Sequence, residues 1–512
     1  MDGTSVEADG AAAATSLDPD DWAEIRQLGH RMLDDLFDEL ADIGAGPVWR
    51  PQPDSVRASW HEPLPRRPMP AADVYAAYAR RIAPYGTGNR HPRFFGWVHG
   101  AGTAIGMLAE MLAAGLNPNL GGRDHAPIDC ERQVIRWAAA LLGLPAASAG
   151  LLVTGTSIAN FMAVHVARTA LLGPAVRDEG LGDRRLAVYA SDGVHGCIAK
   201  ALDMAGIGAR ALRPIRCTAQ GGMDVVELRR RLQTDRARGI TPMMAVGTAG
   251  SVDTGAIDDL AGLADVCRSE RLWFHVDAAY GAMAACSAHL RPLLTGLDAA
   301  DSVAFDFHKW AVPYDAGCFI ARDADALRAA FEWPAAYLGR RDRGLAAGSP
   351  WPCDLGPDLS RGFRALKVWM TLKTLGTDRL GACVEQACAL ARHLAARIDA
   401  EPLLERMAPV RLTIVCFRFR PGDDELQAEI AAELQERGIA APSTTVLGGR
   451  IVLRAAIMNH RTQMEDVDAL IEGVVAVGLN LSRRRQTASA TGPSSFVESE
   501  ATILSSSAGS GR

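Results

Sequence analysis

Two short apolar runs, each ending in charged chemistry, restrict the folds open to this chain more than any other feature. Residues 272–276 lead into Asp277-Ala278-Ala279-Tyr280-Gly281, and Phe305-Asp306-Phe307 leads into His308-Lys309-Trp310. Runs of this length, bounded by small residues, read as buried strands. A parallel α/β sheet gathers its ligands at the carboxyl ends of its strands, so Asp277 and Lys309 can face one crevice although they are distant in sequence.

A lysine in a partly apolar site can lose its proton near neutrality and form an imine with an aldehyde. A carboxylate opposite a pyridine nitrogen keeps that nitrogen protonated, and the charged ring then accepts electrons from a breaking bond. The pair therefore suits pyridoxal 5'-phosphate. Taken singly, Lys309 reads as readily as a surface lysine after a strand, and Asp277 as a helix cap. Together with His308 and Ala279 they favour the cofactor.

His275-Val276-Asp277-Ala278-Ala279-Tyr280-Gly281 followed by His308-Lys309-Trp310 resembles the group II pyridoxal-phosphate decarboxylases, which act on aromatic amino acids, glutamate and related substrates. The similarity runs from about Trp22 to about Leu481, with several separate motifs in the right order. It implies an α/β fold of the aspartate aminotransferase-like type (fold type I of pyridoxal-phosphate enzymes). In that fold a large, mostly parallel sheet domain is joined by a smaller C-terminal α/β domain and an N-terminal helical arm. In the family the arm wraps the neighbouring subunit, so the resemblance also implies a homodimer.

Other stretches supply the rest of a site. Gly155-Thr156-Ser157 follows a strand and opens a helix, where free N–H groups, the helix dipole and two hydroxyls can seat a phosphate. Thr and Ser are also common caps without any ligand. The resemblance adds His195 stacked on the pyridine ring, Ser251 as a donor to cofactor or substrate, and His308 beside the phosphate. Trp97 and His99 fall in a segment that lines the substrate pocket in the family, each replacing the residue usual there. Tyr337-Leu338 matches a Tyr-Leu in the mobile lid of the aromatic decarboxylases, which makes Tyr337 the expected proton donor. Family members with phenylalanine there release an aldehyde.

The remaining sequence bounds the problem. With 512 residues, 48% hydrophobic and 22% charged, the chain can bury a large core divided into domains. A formal charge of -6 leaves no basic field for nucleic acid or anionic lipid. Ten cysteines without a Cys-x-x-Cys pair read as reduced, and none sits in a histidine cluster of metal-ligand spacing. Without a signal sequence or an apolar run long enough to span a bilayer, the expectation is a cytoplasmic protein with no membrane contact.

The expected layout has five parts. Residues 1–17 form a disordered tail, and 18–90 a dimerisation arm whose first helix carries Trp22, Ile25, Met32, Leu33, Leu36, Leu40 and Ile43 mainly on one face. Residues 51–70 read as extended and proline-rich, and a second helix runs over about 71–83. Residues 91–372 form the large domain, 373–481 the small one, and 482–512 a flexible tail. The glycine- and proline-rich stretch 337–359 reads as irregular, and as a candidate lid. The functional expectation is decarboxylation of an amino acid, leaning aromatic, to an amine and carbon dioxide. A transaminase, a carbon-carbon lyase and a silent binding protein on the same fold are the alternatives.

Overall fold

The strands that form the centre of the molecule carry almost no polar residue until their last position. In the computed structural model, which describes residues 16–334 and 338–490, twelve strands build two sheets. They are β1 (Phe94–Phe95), β2 (Ala149–Val153), β3 (Leu186–Ser191), β4 (Leu212–Ile215), β5 (Thr241–Thr248), β6 (Trp273–Asp277), β7 (Ser302–Asp306), β8 (Gly317–Ala321), β9 (Leu404–Arg406), β10 (Ile414–Phe419), β11 (Ala441–Leu447) and β12 (Arg450–Ala456).

The large sheet has the order β2-β8-β7-β6-β5-β3-β4. Its pairs β7/β6, β6/β5, β5/β3 and β3/β4 are parallel, whereas β8 runs antiparallel to both β2 and β7. Helices cover both faces, which is why β3, β7 and β8 are buried at every position. The parallel register sets Thr248 beside Asp277 and Asp277 beside Ala304, so the polar ends of neighbouring strands lie side by side.

The small sheet has the order β1-β11-β12-β10-β9 and is antiparallel except for β1. Here the expected boundaries need correction. β1 lies in the stretch assigned to the large domain, yet it pairs with Ala441 and Pro442 of the small sheet. The helix Arg364–Ala400 crosses the expected boundary at 372 and breaks at Gly376, whose φ of 73° lies in the left-handed region.

The arm is helical over Trp22–Ala41 and Ala71–Arg81, and residues 51–70 are not extended throughout, because Asp54–Ala58 forms a short helix. Of the first helix only Leu28 is buried, while Trp22 and Trp60 are 64% and 52% exposed. The C-terminal helix Met464–Ala490 continues beyond the expected limit of 481, because Arg485 pairs with Asp423 and Glu429. Residues 338–359 are largely irregular but tied down: Trp351 is 1% exposed, lies under the Arg340 guanidinium and donates to the Ala347 carbonyl. Among the described residues no helix is long and apolar enough to cross a membrane.

Candidate active site

The carboxyl ends of β2, β3, β5, β6 and β7 open onto one cavity of about 390 Å³. Its wall includes Gly155, Thr156 and Ser157 after β2, His195 after β3, Thr248 and Gly250 at the end of β5, and Asp277 and Ala279 at the end of β6. Asp306, His308 and Lys309 continue it after β7, and Trp97, His99 and Tyr314 also line it. The structure thus brings together ten of the eleven described residues that the sequence singles out.

Lys309 sits in a short turn after β7, with Nζ 3.2 Å from Asp306 Oδ2. The Trp97–Gly100 segment lies directly over this turn. A Cβ on Gly100 would stand 2.0 Å from the His308 carbonyl oxygen, so only glycine permits the approach. Asp277 is buried, and its Oδ1 accepts from the Ala279 N–H at 3.0 Å.

The Thr156–Leu172 helix begins at the cavity wall. The Thr156 N–H donates to Asp306 Oδ1 at 2.8 Å, but its buried hydroxyl has no partner. An unpaired buried hydroxyl at a helix N-terminus is costly unless an anion completes it. Close approach is again built in, since a Cβ on Gly317 would lie 2.4 Å from Gly155 Cα.

His308 is buried against the Tyr314 ring, 4.3 Å between centroids, and its Nδ1 accepts from the Ala316 N–H. Burial lowers the affinity of its ring for a proton. His99 is likewise pushed down, by burial first and then by Lys309 and Arg454. It packs with both Phe94 and Trp97 in a three-ring cluster and meets Tyr314 edge-on. The Tyr314 phenol is pushed up to about 12 by burial, so it keeps its proton. His195 Nδ1 accepts from the Cys197 N–H at 3.2 Å.

Ser251 is the exception. It is not part of the cavity wall; its hydroxyl accepts from the Ala256 N–H and pairs with Thr254 to close a turn. Thr248, at the end of β5, reaches the wall instead with a buried and unpartnered hydroxyl. Tyr337 lies outside the described residues. The sequence reading also missed Asp306, although a lone carboxylate between Phe305 and Phe307 in a buried strand was a usable signal.

An amine, a buried carboxylate and an incomplete anion seat on one wall match the aldehyde, ring nitrogen and phosphate of pyridoxal phosphate. Among the described residues no cluster of His, Cys, Asp and Glu could hold a metal ion.

Comparison with known proteins agrees with this geometry. Residues 53–420 match the model of the pyridoxal-dependent decarboxylase conserved domain. The chain is 30% identical to the aromatic-L-amino-acid decarboxylase of Bacillus atrophaeus, covering 90% of this chain and 96% of that one. It is 29% identical to tryptophan decarboxylase 2 of Oryza sativa subsp. japonica, covering 88% and 94%. The crystal structure of Oryza sativa TDC with PLP and tryptamine superposes with a TM-score of 0.84 at 25% identity, over 91% of this chain and 100% of that one.

Proposed function

Since the chain belongs to the pyridoxal-dependent decarboxylase family and is a pyridoxal-phosphate-dependent amino-acid decarboxylase, we propose that its substrate is an aromatic L-amino acid. The observation that carries this is the make-up of the cavity mouth. Trp97, His99, Tyr314 and His308 form a continuous series of ring contacts there, with centroids 4.3 to 6.1 Å apart. Among the described wall residues Lys309 is the only lysine or arginine. Both histidines of the series are held towards neutrality by burial. Such a mouth favours a flat apolar side chain and offers no counter-charge to a side-chain carboxylate. The names of the relatives, which include tryptophan and tyrosine decarboxylases, point the same way.

When bound, pyridoxal phosphate supplies the sink for the electrons of the bond to the departing carboxylate. Lys309 provides the primary amine that holds it and that the substrate amine displaces. Asp277 keeps a proton at the ring nitrogen, and the Thr156 hydroxyl, with Ser157 and His308, holds the phosphate. His195 covers the ring face. Trp97 and His99 orient the substrate side chain, and Tyr337 delivers a proton to the α-carbon once carbon dioxide has left. Ser251 has no part in this scheme, and Thr248 takes the position from which its hydroxyl can donate. The exposed apolar side chains of the arm, Trp22, Ile25, Phe37, Val74 and Tyr78 among them, support a homodimer in which a second copy covers them. The cytoplasm is the proposed location.

The test is an amine-product screen over the common amino acids with the reconstituted protein. Amine from phenylalanine, tyrosine, tryptophan or dihydroxyphenylalanine, and its loss by several orders of magnitude in Lys309→Ala, is the expected result. Amine from glutamate alone would overturn the substrate assignment.

A further inference from the structure

A string of buried polar side chains runs back from Asp277 into the large sheet. Asp277 Oδ2 accepts from Asn160 Nδ2 at 2.9 Å. Asn160 Oδ1 lies 2.7 Å from His275 Nε2, and His275 Nδ1 lies 2.9 Å from Ser302 Oγ. The Trp273 indole N–H donates to the same Ser302 oxygen at 2.8 Å. Asn160, His275 and Ser302 are wholly buried, and none reaches the cavity wall. Three polar side chains in a row inside a sheet-and-helix core would be less costly as apolar ones unless their hydrogen bonds serve a purpose.

The polarity of the string follows from its members. An ionised carboxylate can only accept, so the Asn160 amide must turn its NH₂ towards Asp277 and its oxygen towards His275. Burial pushes the His275 ring down to about 4, so it is neutral and carries one N–H. That proton must lie on Nε2, where Asn160 Oδ1 accepts it. Nδ1 is then an acceptor, filled by the Ser302 hydroxyl, whose own oxygen accepts from Trp273. The Ser302 carbonyl oxygen also stands 3.2 Å from Nδ1, and the Asn160 NH₂ also donates to Cys197 Sγ at 3.1 Å.

A proton on Asp277 Oδ2 would reverse this order. Asn160 would have to flip, and the His275 proton would have to move to Nδ1, within reach of the Ser302 carbonyl and hydroxyl oxygens. The Asn160 N–H thus makes a charge-assisted hydrogen bond to Oδ2, which favours the ionised carboxylate.

We propose that Asn160, His275 and Ser302 are positioning residues that hold Asp277 ionised and oriented, so that the shared proton stays on the cofactor ring nitrogen and not on the carboxylate. This rests on the assignment of Asp277 to that nitrogen. The residues act through Asp277 and touch neither cofactor nor substrate. His275 sets the amide of Asn160, and Ser302 with Trp273 sets the tautomer of His275.

The test uses the full chain reconstituted with pyridoxal phosphate labelled with ¹⁵N in the ring. It reads the ring-nitrogen chemical shift against pH and the cofactor dissociation constant. Asn160→Leu removes a donor to a charged acceptor, and cofactor affinity should fall about tenfold or more, with the ring nitrogen shifted towards its unprotonated value. His275→Phe should move both readouts in the same direction. His275→Gln, which keeps a donor near the Nε2 position, should restore most of the signal. Ser302→Ala, a small truncation two links from Asp277, keeps the question answerable if Asn160→Leu does not fold, and it should lower the pH at which the ring nitrogen loses its proton. Asp277→Ala is the reference. If it changes both readouts while Asn160→Leu, His275→Phe and Ser302→Ala change neither, the string is only structural and the proposal fails. If Asp277→Ala itself leaves the ring nitrogen unchanged, the parent assignment fails and takes the proposal with it.

Discussion

Substituting alanine for Gly100 tests how closely the pocket segment must sit on the lysine turn. A Cβ at this position would lie 2.0 Å from the His308 oxygen, 2.8 Å from the Lys309 carbonyl carbon and 2.9 Å from the Lys309 oxygen. Unstrained carbon–oxygen contacts begin at about 3.3 Å, so one partner must retreat by more than about 1 Å. All three obstacles are backbone atoms. The pocket segment cannot simply lift away, because the Asn89 amide holds the Gly100 carbonyl at 2.7 Å. Overpacking of this kind costs about 1–3 kcal/mol. A displacement of about 1 Å at Lys309 or at Trp97 and His99 lowers turnover by about 100-fold, or about 2.7 kcal/mol in the barrier. Amine formation under saturating cofactor gives kcat and KM, and circular dichroism with thermal melting checks the fold. Gly100→Ala should fold, melt a few degrees lower and lose about 100-fold in kcat/KM. A folded variant within twofold of the parent would refute the claim that this contact sets the pocket.

Thr156→Val removes a buried hydroxyl that has no partner in the protein. It should leave the cofactor-free melting point unchanged or higher while weakening cofactor binding about tenfold, and calorimetric titration with pyridoxal phosphate separates the two. His165 and His275 are both pushed down to about 4 by burial, below their ordinary 6.5. The unfolded chain therefore binds more protons between these values, and stability should fall as pH drops from about 6.5 to about 4. His165→Gln, which keeps a donor for the Ala330 carbonyl but cannot titrate, should flatten that decline in the melting point, and a melting point rising on acidification would contradict it. Tyr337→Phe should still release carbon dioxide but form aldehyde, ammonia and peroxide in place of much of the amine, by product analysis; an unchanged amine yield would assign the proton to another acid. Deleting residues up to Gly86 removes the exposed arm and should abolish the dimer in sedimentation, whereas an active dimer lacking the arm would refute its role.

The local chemistry of this protein was written in its sequence. Strands with apolar interiors and polar last residues sufficed for a parallel sheet with Asp277, Lys309, His195 and the Gly155-Thr156-Ser157 turn at one end, because strand period and strand-end geometry are local properties. The ordered motifs then sufficed for the family and the cofactor. Contacts between distant segments were not legible. β1 is two residues long and carries no signal of its own; only Ala441 and Pro442, far along the chain, make it a strand. The C-terminal helix outlasts its apolar pattern because Arg485 finds carboxylates on another helix. Ser251 and Thr248 look equally able to donate on paper, and the turn closed by Ala256 decides which hydroxyl stays free. Asn160 stands in a helix and His275 and Ser302 in neighbouring strands, so packing alone makes them one hydrogen-bonded string behind Asp277. Sequence determined which groups the site would contain, because residue type and local period are enough for that. The tertiary structure decided which of them are spent on the fold and which are left for the ligand, because a side chain's partners are chosen only when remote segments meet.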